Sequence, residues 1–136
     1  MISPDGRWIA YVSDVSGRDE VYVQSFPESG ERIPISTQGG IEPVWRRDGR
    51  ELFYRNGDKL MAVTLGISPK LTPGVPEVLF EGRFRKTLLV SEAANYDVSP
   101  DGNSFVMVRQ KNLVTPAVIQ VMLNWPEVLT KPSEAK

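Results

Sequence analysis

Three groups of side chains lie close enough in this sequence to act together. The first is the acidic run Ser13-Asp14-Val15-Ser16-Gly17-Arg18-Asp19-Glu20, whose three carboxylates offer ligands to a cation. It lacks the Asp-x-Asp-x-Asp-Gly spacing that wraps a calcium ion, so a solvated hairpin tip is the stronger expectation. The second is the basic run Arg83-Phe84-Arg85-Lys86, in the long link Gly82–Asn95, where guanidinium and ammonium groups can meet an acidic partner. The competing reading is that these cations are merely solvated and that Leu88–Val90 pack as an extra strand. The third is Trp8, Trp45 and Trp125, which serve either as stacking platforms or, more commonly, as core.

Any chemistry here works without histidine or cysteine, because the chain contains neither. Ser-His-Asp and Cys-His catalysis, histidine switches, thiol nucleophiles, zinc–thiolate sites and disulfides are excluded within it. No Gly-x-Ser-x-Gly elbow, Gly-x-x-x-x-Gly-Lys loop or Gly-x-Gly-x-x-Gly fingerprint occurs. We therefore expect no catalytic residues, no metal and no cofactor. Lys and Arg total 16 against 17 Asp and Glu, a net charge of -1, so nothing favours nucleic acid or an anionic membrane as partner. No apolar run is long enough to span a bilayer, and the opening Met1–Gly6 lacks the basic and apolar regions of a signal peptide. A soluble chain is expected; its compartment is left open.

The elements that must position these groups are short. Gly and Pro number 11 each in 136 residues and are spread along the chain, so they punctuate it rather than form a low-complexity tail. The pieces between them are rich in Val, Ile, Tyr, Phe and Trp, and no helical stripe exceeds two turns, which predicts an all-β fold. A repeat organises the strands. Ser3-Pro4-Asp5-Gly6 recurs as Ser99-Pro100-Asp101-Gly102, with a degenerate copy, Arg46-Arg47-Asp48-Gly49, between them. The Asp-to-Asp spacings are 43 and 53 residues, near the length of one four-stranded propeller blade. In such a turn Pro presets φ, Asp bonds its own backbone and Gly accepts a positive φ, so these residues are expected to be structural.

The predicted layout has three blades. Residues 1–40 hold strands Arg7–Ser13, Glu20–Phe26 and Arg32–Ser36, with the innermost strand missing. Residues 41–82 hold Glu42–Arg46, Glu51–Asn56, Lys59–Leu65 and Glu77–Phe80, with Asn56-Gly57 as the strongest hairpin signal. Residues 83–130 hold the connecting loop 83–95, then Tyr96–Ser99, Ser104–Arg109 and Ala117–Leu123; residues 131–136 are expected to be a disordered tail. Pro126-Glu127-Val128-Leu129 repeats Pro76-Glu77-Val78-Leu79, either as an outer strand of blade 3 or as a chance match in a frayed tail. Trp8–Val12 and Val118–Leu123 are apolar on both faces, which predicts burial between stacked sheets.

The run Ser3–Asp14 followed by Ser16-Gly17-Arg18-Asp19-Glu20-Val21-Tyr22-Val23 resembles the WD40-like repeats of TolB-type β-propellers. So do Glu42–Gly49 with Glu51-Leu52-Phe53-Tyr54, and Asn95–Gly102. The ending Leu123-Asn124-Trp125 is similar to that of propellers fused to bacterial serine/threonine protein kinases. The resemblance covers about residues 1–125 and implies a β-propeller, in a family whose members are often periplasmic or extracytoplasmic. Its motifs are specific for fold and weak for function. The middle copy departs from the pattern, with Arg46-Arg47 in place of Ser-Pro, and a looser turn is expected there.

Three blades cannot close a ring, since propellers carry 4–8. If each end face exposes on the order of 500 Å² of apolar area, the lost burial is about 12 kcal/mol per face. The expectation is a homodimeric ring of six blades, or a larger ring; the competing explanation is that the chain is the end of a longer reading frame. Function follows as a non-catalytic protein-binding or scaffolding module, with a protein or peptide at the rim. The rivals are the gating propeller of a prolyl-oligopeptidase-like serine peptidase, the sensor domain of a bacterial receptor kinase, and a pure assembly module.

Overall fold

The computed structural model describes residues 1–28, 30–66, 70–85, 93–109 and 118–122. All regular elements among them are antiparallel strands, eleven in number. Blade 1 is β1 (Trp8–Ser13), β2 (Glu20–Ser25) and β3 (Ile33–Pro34). Blade 2 is β4 (Ile41–Trp45), β5 (Glu51–Asn56), β6 (Lys59–Gly66), β7 (Thr72–Pro73) and β8 (Glu77–Glu81). Blade 3 is β9 (Tyr96–Val98), β10 (Phe105–Arg109) and β11 (Val118–Met122). No helix is long and apolar enough to cross a membrane among the described residues.

Each blade is an up-and-down meander. In blade 2 the order is β4-β5-β6, with β8 on the near half of β6 and β7 on its far end. The two-residue β7 had no counterpart in the sequence layout. In blade 1 the edge of β1 nearest the start of the chain is occupied. The Met1 and Ala10 backbones exchange bonds of 2.6 and 2.8 Å, Ser3 N donates to Trp8 O at 2.8 Å, and Ile2 pairs with Ile9. Residues 1–3 thus stand where β4 and β9 stand in the other blades. The third strand is shorter than the predicted Arg32–Ser36: past Pro34, Ile35 N and Ser36 N both donate to Val21 O, and Val21 N donates to the Ser36 hydroxyl instead of a strand carbonyl, so the regular ladder ends there. The hairpin after β5 also shifts by one residue: Asn56 still pairs with Lys59, so the loop is Gly57-Asp58, with Gly57 at φ +59.

Blade 2 is the middle layer, and its two central strands are buried on both faces. Leu52, Tyr54, Met61, Val63 and Leu65 pack with Ala10, Val21, Val23 and Ile35 of blade 1. The alternate residues Phe53, Leu60 and Ala62 pack with Tyr96, Phe105 and Met107 of blade 3. Period-2 alternation sends successive side chains to opposite faces, so a strand apolar at every position needs a partner on each side. Fully buried Phe105 meets Phe53 edge-to-face at 5.0 Å and Phe80 at 5.7 Å. Such pairs add about 0.5–1.5 kcal/mol beyond area burial.

The expectation that Trp8–Val12 is buried on both faces is corrected. Ala10 is buried and Trp8 and Val12 are half-buried against blade 2, whereas Ile9 and Tyr11 point away from it. An end blade has one packed face, which apolar content alone does not distinguish from two. Lys86, Leu88–Val90, Trp125, the Pro126–Leu129 repeat and the tail 131–136, for which the sequence raises expectations, lie outside the described residues.

Candidate binding site at the crevice of blades 2 and 3

The three repeated turns lie at one end of the strands and satisfy their own polar groups. In the first, Ser3 Oγ donates to Asp5 Oδ1 at 2.6 Å and accepts from Trp8 N at 3.0 Å, while Arg7 N donates to Asp5 at 3.1 Å. In the third, Ser99 donates to Asp101 and accepts from Ser104 N at 2.9 Å, and Asn103 N donates to Asp101 at 3.0 Å. Gly6, Gly49 and Gly102 stand at φ +72, +71 and +76, each closing its turn with a bond to the residue three before it. The bond from Ser3, followed by Arg7, holds the Asp5 carboxyl down at about 2, and the bond from Ser99 lowers Asp101 likewise. Pro4 and Pro100 occupy the second positions of the first and third turns.

The middle turn is not looser. Arg50 N donates to Asp48 at 3.0 Å, as in the other copies. Arg46 replaces the serine hydroxyl with a guanidinium that reaches Glu51 at 3.2 Å and the carbonyl of Asp101, in the next blade's turn, at 2.9 Å. The departure from Ser-Pro therefore exchanges a bond within the turn for a link between blades.

At the other end of the strands, the acidic run forms a latch. Glu20 is buried; it accepts from Arg18 Nε at 2.8 Å, from Gly39 N at 2.9 Å and from Ser36 Oγ, while Ser36 accepts from Val21 N at 2.8 Å. This ties the β1–β2 loop to the link from blade 1 to blade 2. Among the described residues no three acidic side chains gather as cation ligands. Beside the latch, a pocket of about 210 Å³ is lined by Thr37, Gln38, Tyr54, Asn56, Met61 and Pro76. Burial, and then the Glu20 charge, push the Tyr54 hydroxyl up to about 12, so it stays a neutral donor at physiological pH. Trp8 and Trp45 pack in the core between blades 1 and 2, and Trp45 Nε1 donates to Met1 O at 3.2 Å.

The crevice between blades 2 and 3 holds a denser set of polar groups. Glu42 lies at a bulge in β4 with φ +55, buried. Its carbonyl accepts from Tyr96 Oη at 2.8 Å and its carboxylate from Asn95 Nδ2 at 3.0 Å, which joins the inner strands of the two blades. Burial first, then the Glu42 charge, push the Tyr96 hydroxyl well above its usual range, while Arg55 acts in the opposite sense. Arg55 extends from β5 to the same side as Phe53 and is 1% exposed. It donates from Nη2 to Gly57 O at 2.9 Å, but Nε and Nη1 are buried without an acceptor. Each buried donor left unmade costs about 1–3 kcal/mol.

The basic run meets this group from the blade 2 side. Phe84, half-buried, packs edge-to-face on Phe80 at 5.9 Å, and the Arg55 guanidinium lies 5.5 Å from its ring centroid. Arg85 N donates to Val108 O at 2.7 Å, anchoring the run to β10. Arg83 and Arg85 are exposed and have no carboxylate partner among the described residues, whereas Arg7 and Arg18 each have one and Arg46 has two. Phe84 is thus brought over Arg55, with Arg83 and Arg85 on either side of it in the chain. Sequence reasoning missed Arg55 and Glu42. The signal for Arg55 was there: in Leu52-Phe53-Tyr54-Arg55, alternation places a cation on an apolar face.

No protein-family model matches the chain, and no curated protein matches it. Solved structures do. A TolB candidate from Agrobacterium tumefaciens superposes with a TM-score of 0.63 at 18% identity, covering 91% of this chain and 44% of that one. TolB from Acinetobacter baumannii gives 0.61 at 18% identity, with coverages of 90% and 28%. Oligogalacturonate lyase from Vibrio parahaemolyticus gives 0.59 at 14% identity, with coverages of 84% and 30%. The fold is therefore that of TolB-type propeller blades, and the chain spans less than half the length of these structures.

Proposed function

We propose that this chain is a non-catalytic protein-binding propeller module whose three blades are completed to a closed ring by a second copy. One observation carries the reading: the two end faces of the stack. Blade 1 turns Ile2, Ile9, Tyr11 and Tyr22 away from blade 2, and blade 3 turns Val106 and Val108 away on the opposite side. Val106 is 41% exposed on a strand whose alternate residues, Phe105 and Met107, are fully buried. The blade 1 face is less bare than composition alone would have it, because the Arg32 guanidinium lies 5.3 Å from the Tyr22 ring centroid and 6.0 Å from that of Tyr11. Packing face 3 of each copy on face 1 of the other, about a two-fold along the ring axis, makes six blades and covers both faces. The absence of histidine and cysteine supports binding over catalysis, and Arg83 and Arg85, exposed and without a carboxylate partner among the described residues, supply a rim surface for a protein or peptide.

Light scattering on a sizing column tests the ring. A mass of twice the 15.2 kDa chain is expected, and Val106→Asp, at an exposed position, should reduce it to a folded monomer. A wild-type monomer with full β structure at micromolar concentration overturns self-closure.

A further inference from the structure

We propose that Arg55 is the anchor of a carboxylate-binding site in the crevice between blades 2 and 3, gated by the ring of Phe84. The inference deepens the protein-binding reading by naming the partner's chemistry, an acidic peptide. It does not require the ring, because every residue it uses belongs to one chain.

Two independent observations meet here. Arg55 is a permanently charged fork with five donors, buried to 1%, and two of its three nitrogens have no acceptor. Among the described residues it has no ion pair, and one carbonyl bond and one aromatic face are its recorded partners. A buried guanidinium with donors to spare is matched by an acceptor-only anion, and a carboxylate is the anion a peptide carries. The second observation is the approach. The cover over Arg55 is Phe84, in a segment where Phe84 N bonds only two residues back, to Gly82 O at 2.9 Å. Exposed Arg83 and Arg85 flank that cover in the chain, without carboxylate partners among the described residues, so they draw anions to it. Glu42 belongs to β4 of the same blade, but its carboxylate is engaged by Asn95 at the entry to blade 3, and among the described residues no ion pair joins it to Arg55. A carboxylate therefore enters from the Phe84 side. Rotation of that half-buried ring uncovers the guanidinium, and the carboxylate oxygens accept from Nε–H and Nη1–H.

The test is a titration of the full chain, followed by NMR at the Arg55 Nε–Hε resonance. Acetyl-tetraglutamate amide carries side-chain carboxylates only, acetyl-tetraalanine with a free C-terminus carries a terminal carboxylate only, and acetyl-tetraglutamine amide is the neutral control. At least one carboxylate peptide should shift the resonance saturably while the control does not, and the responding arm tells a side-chain ligand from a terminal one. Arg55→Met should weaken that peptide about 10- to 100-fold, the loss expected for one charge-assisted pair. Arg55→Lys, which keeps the charge, should recover only part of it. Arg83→Ala with Arg85→Ala should weaken binding less and flatten its salt dependence, and Phe84→Ala should speed association by removing the gate. A resonance that no peptide moves, the result expected if an ordered water satisfies Arg55, overturns the proposal, as does equal affinity of wild type and Arg55→Met. The wild-type titration needs no variant to fold. Mass measured on the same samples separates the two readings: a monomer that binds refutes the ring alone, and a ring that does not bind refutes this site alone.

Discussion

Gly102 and Arg46 lie in different blades, yet the structure makes them depend on each other. Gly102 closes its turn at φ +76, where an alanine costs about 1–2 kcal/mol in backbone strain. A Cβ there would also run into the Arg46 guanidinium, which is held by its bond to the next turn's carbonyl. The Arg46 side chain is 33% exposed, so its bonds and its ion pairs with Asp48 and Glu51 amount to about 1 kcal/mol together. Arg46→Ala should therefore cost about 1 kcal/mol, and Gly102→Ala about 2–3 kcal/mol, being the strain plus the displaced guanidinium. The double variant should be no less stable than Gly102→Ala alone, a coupling of about 1 kcal/mol. Urea unfolding, at one protein concentration for all four proteins, reads this as shifts in midpoint at constant slope. Additivity within about 0.5 kcal/mol would refute the cross-blade link and return the middle turn to a local feature.

Two further expectations follow from named bonds. The Asp5 carboxyl, held at about 2 against an ordinary 3.8, contributes stability that is present above about pH 4 and lost as pH falls toward 2. Asp5→Asn should thus destabilise at pH 6 with a difference that shrinks toward pH 2, and a difference constant across that window would contradict the bond from Ser3. Tyr96→Phe removes the donor to the buried Glu42 carbonyl and should cost about 1–2 kcal/mol in chemical unfolding; no change would mean that this bond does not join the inner strands.

What could be read in the chain was what is local. The Asp-Gly turns, the hairpin after Asn56 and the strands around them depend on residues within a few positions, and the structure places them accordingly. The first and third turns satisfy themselves through Ser3 and Ser99, so their structural role follows from sequence alone. Other features depend on neighbours that the sequence does not name. In sequence Arg46 is only a departure from the Ser-Pro pattern, because its partner carbonyl lies in the next blade.

The amino-acid sequence by itself determined the all-β class, the blade repeat and the exclusion of histidine and cysteine chemistry, since composition, period-2 patterning and turn residues act at short range. Only the tertiary structure decided which strands are buried twice and which face outward, because apolar content is alike in the middle and the end of a stack. It also decided that Glu20 is a latch, and that Arg55 lies buried beneath Phe84 with donors unmet. Burial of a charge is a property of what packs over it, and here that cover comes from a distant segment of the chain.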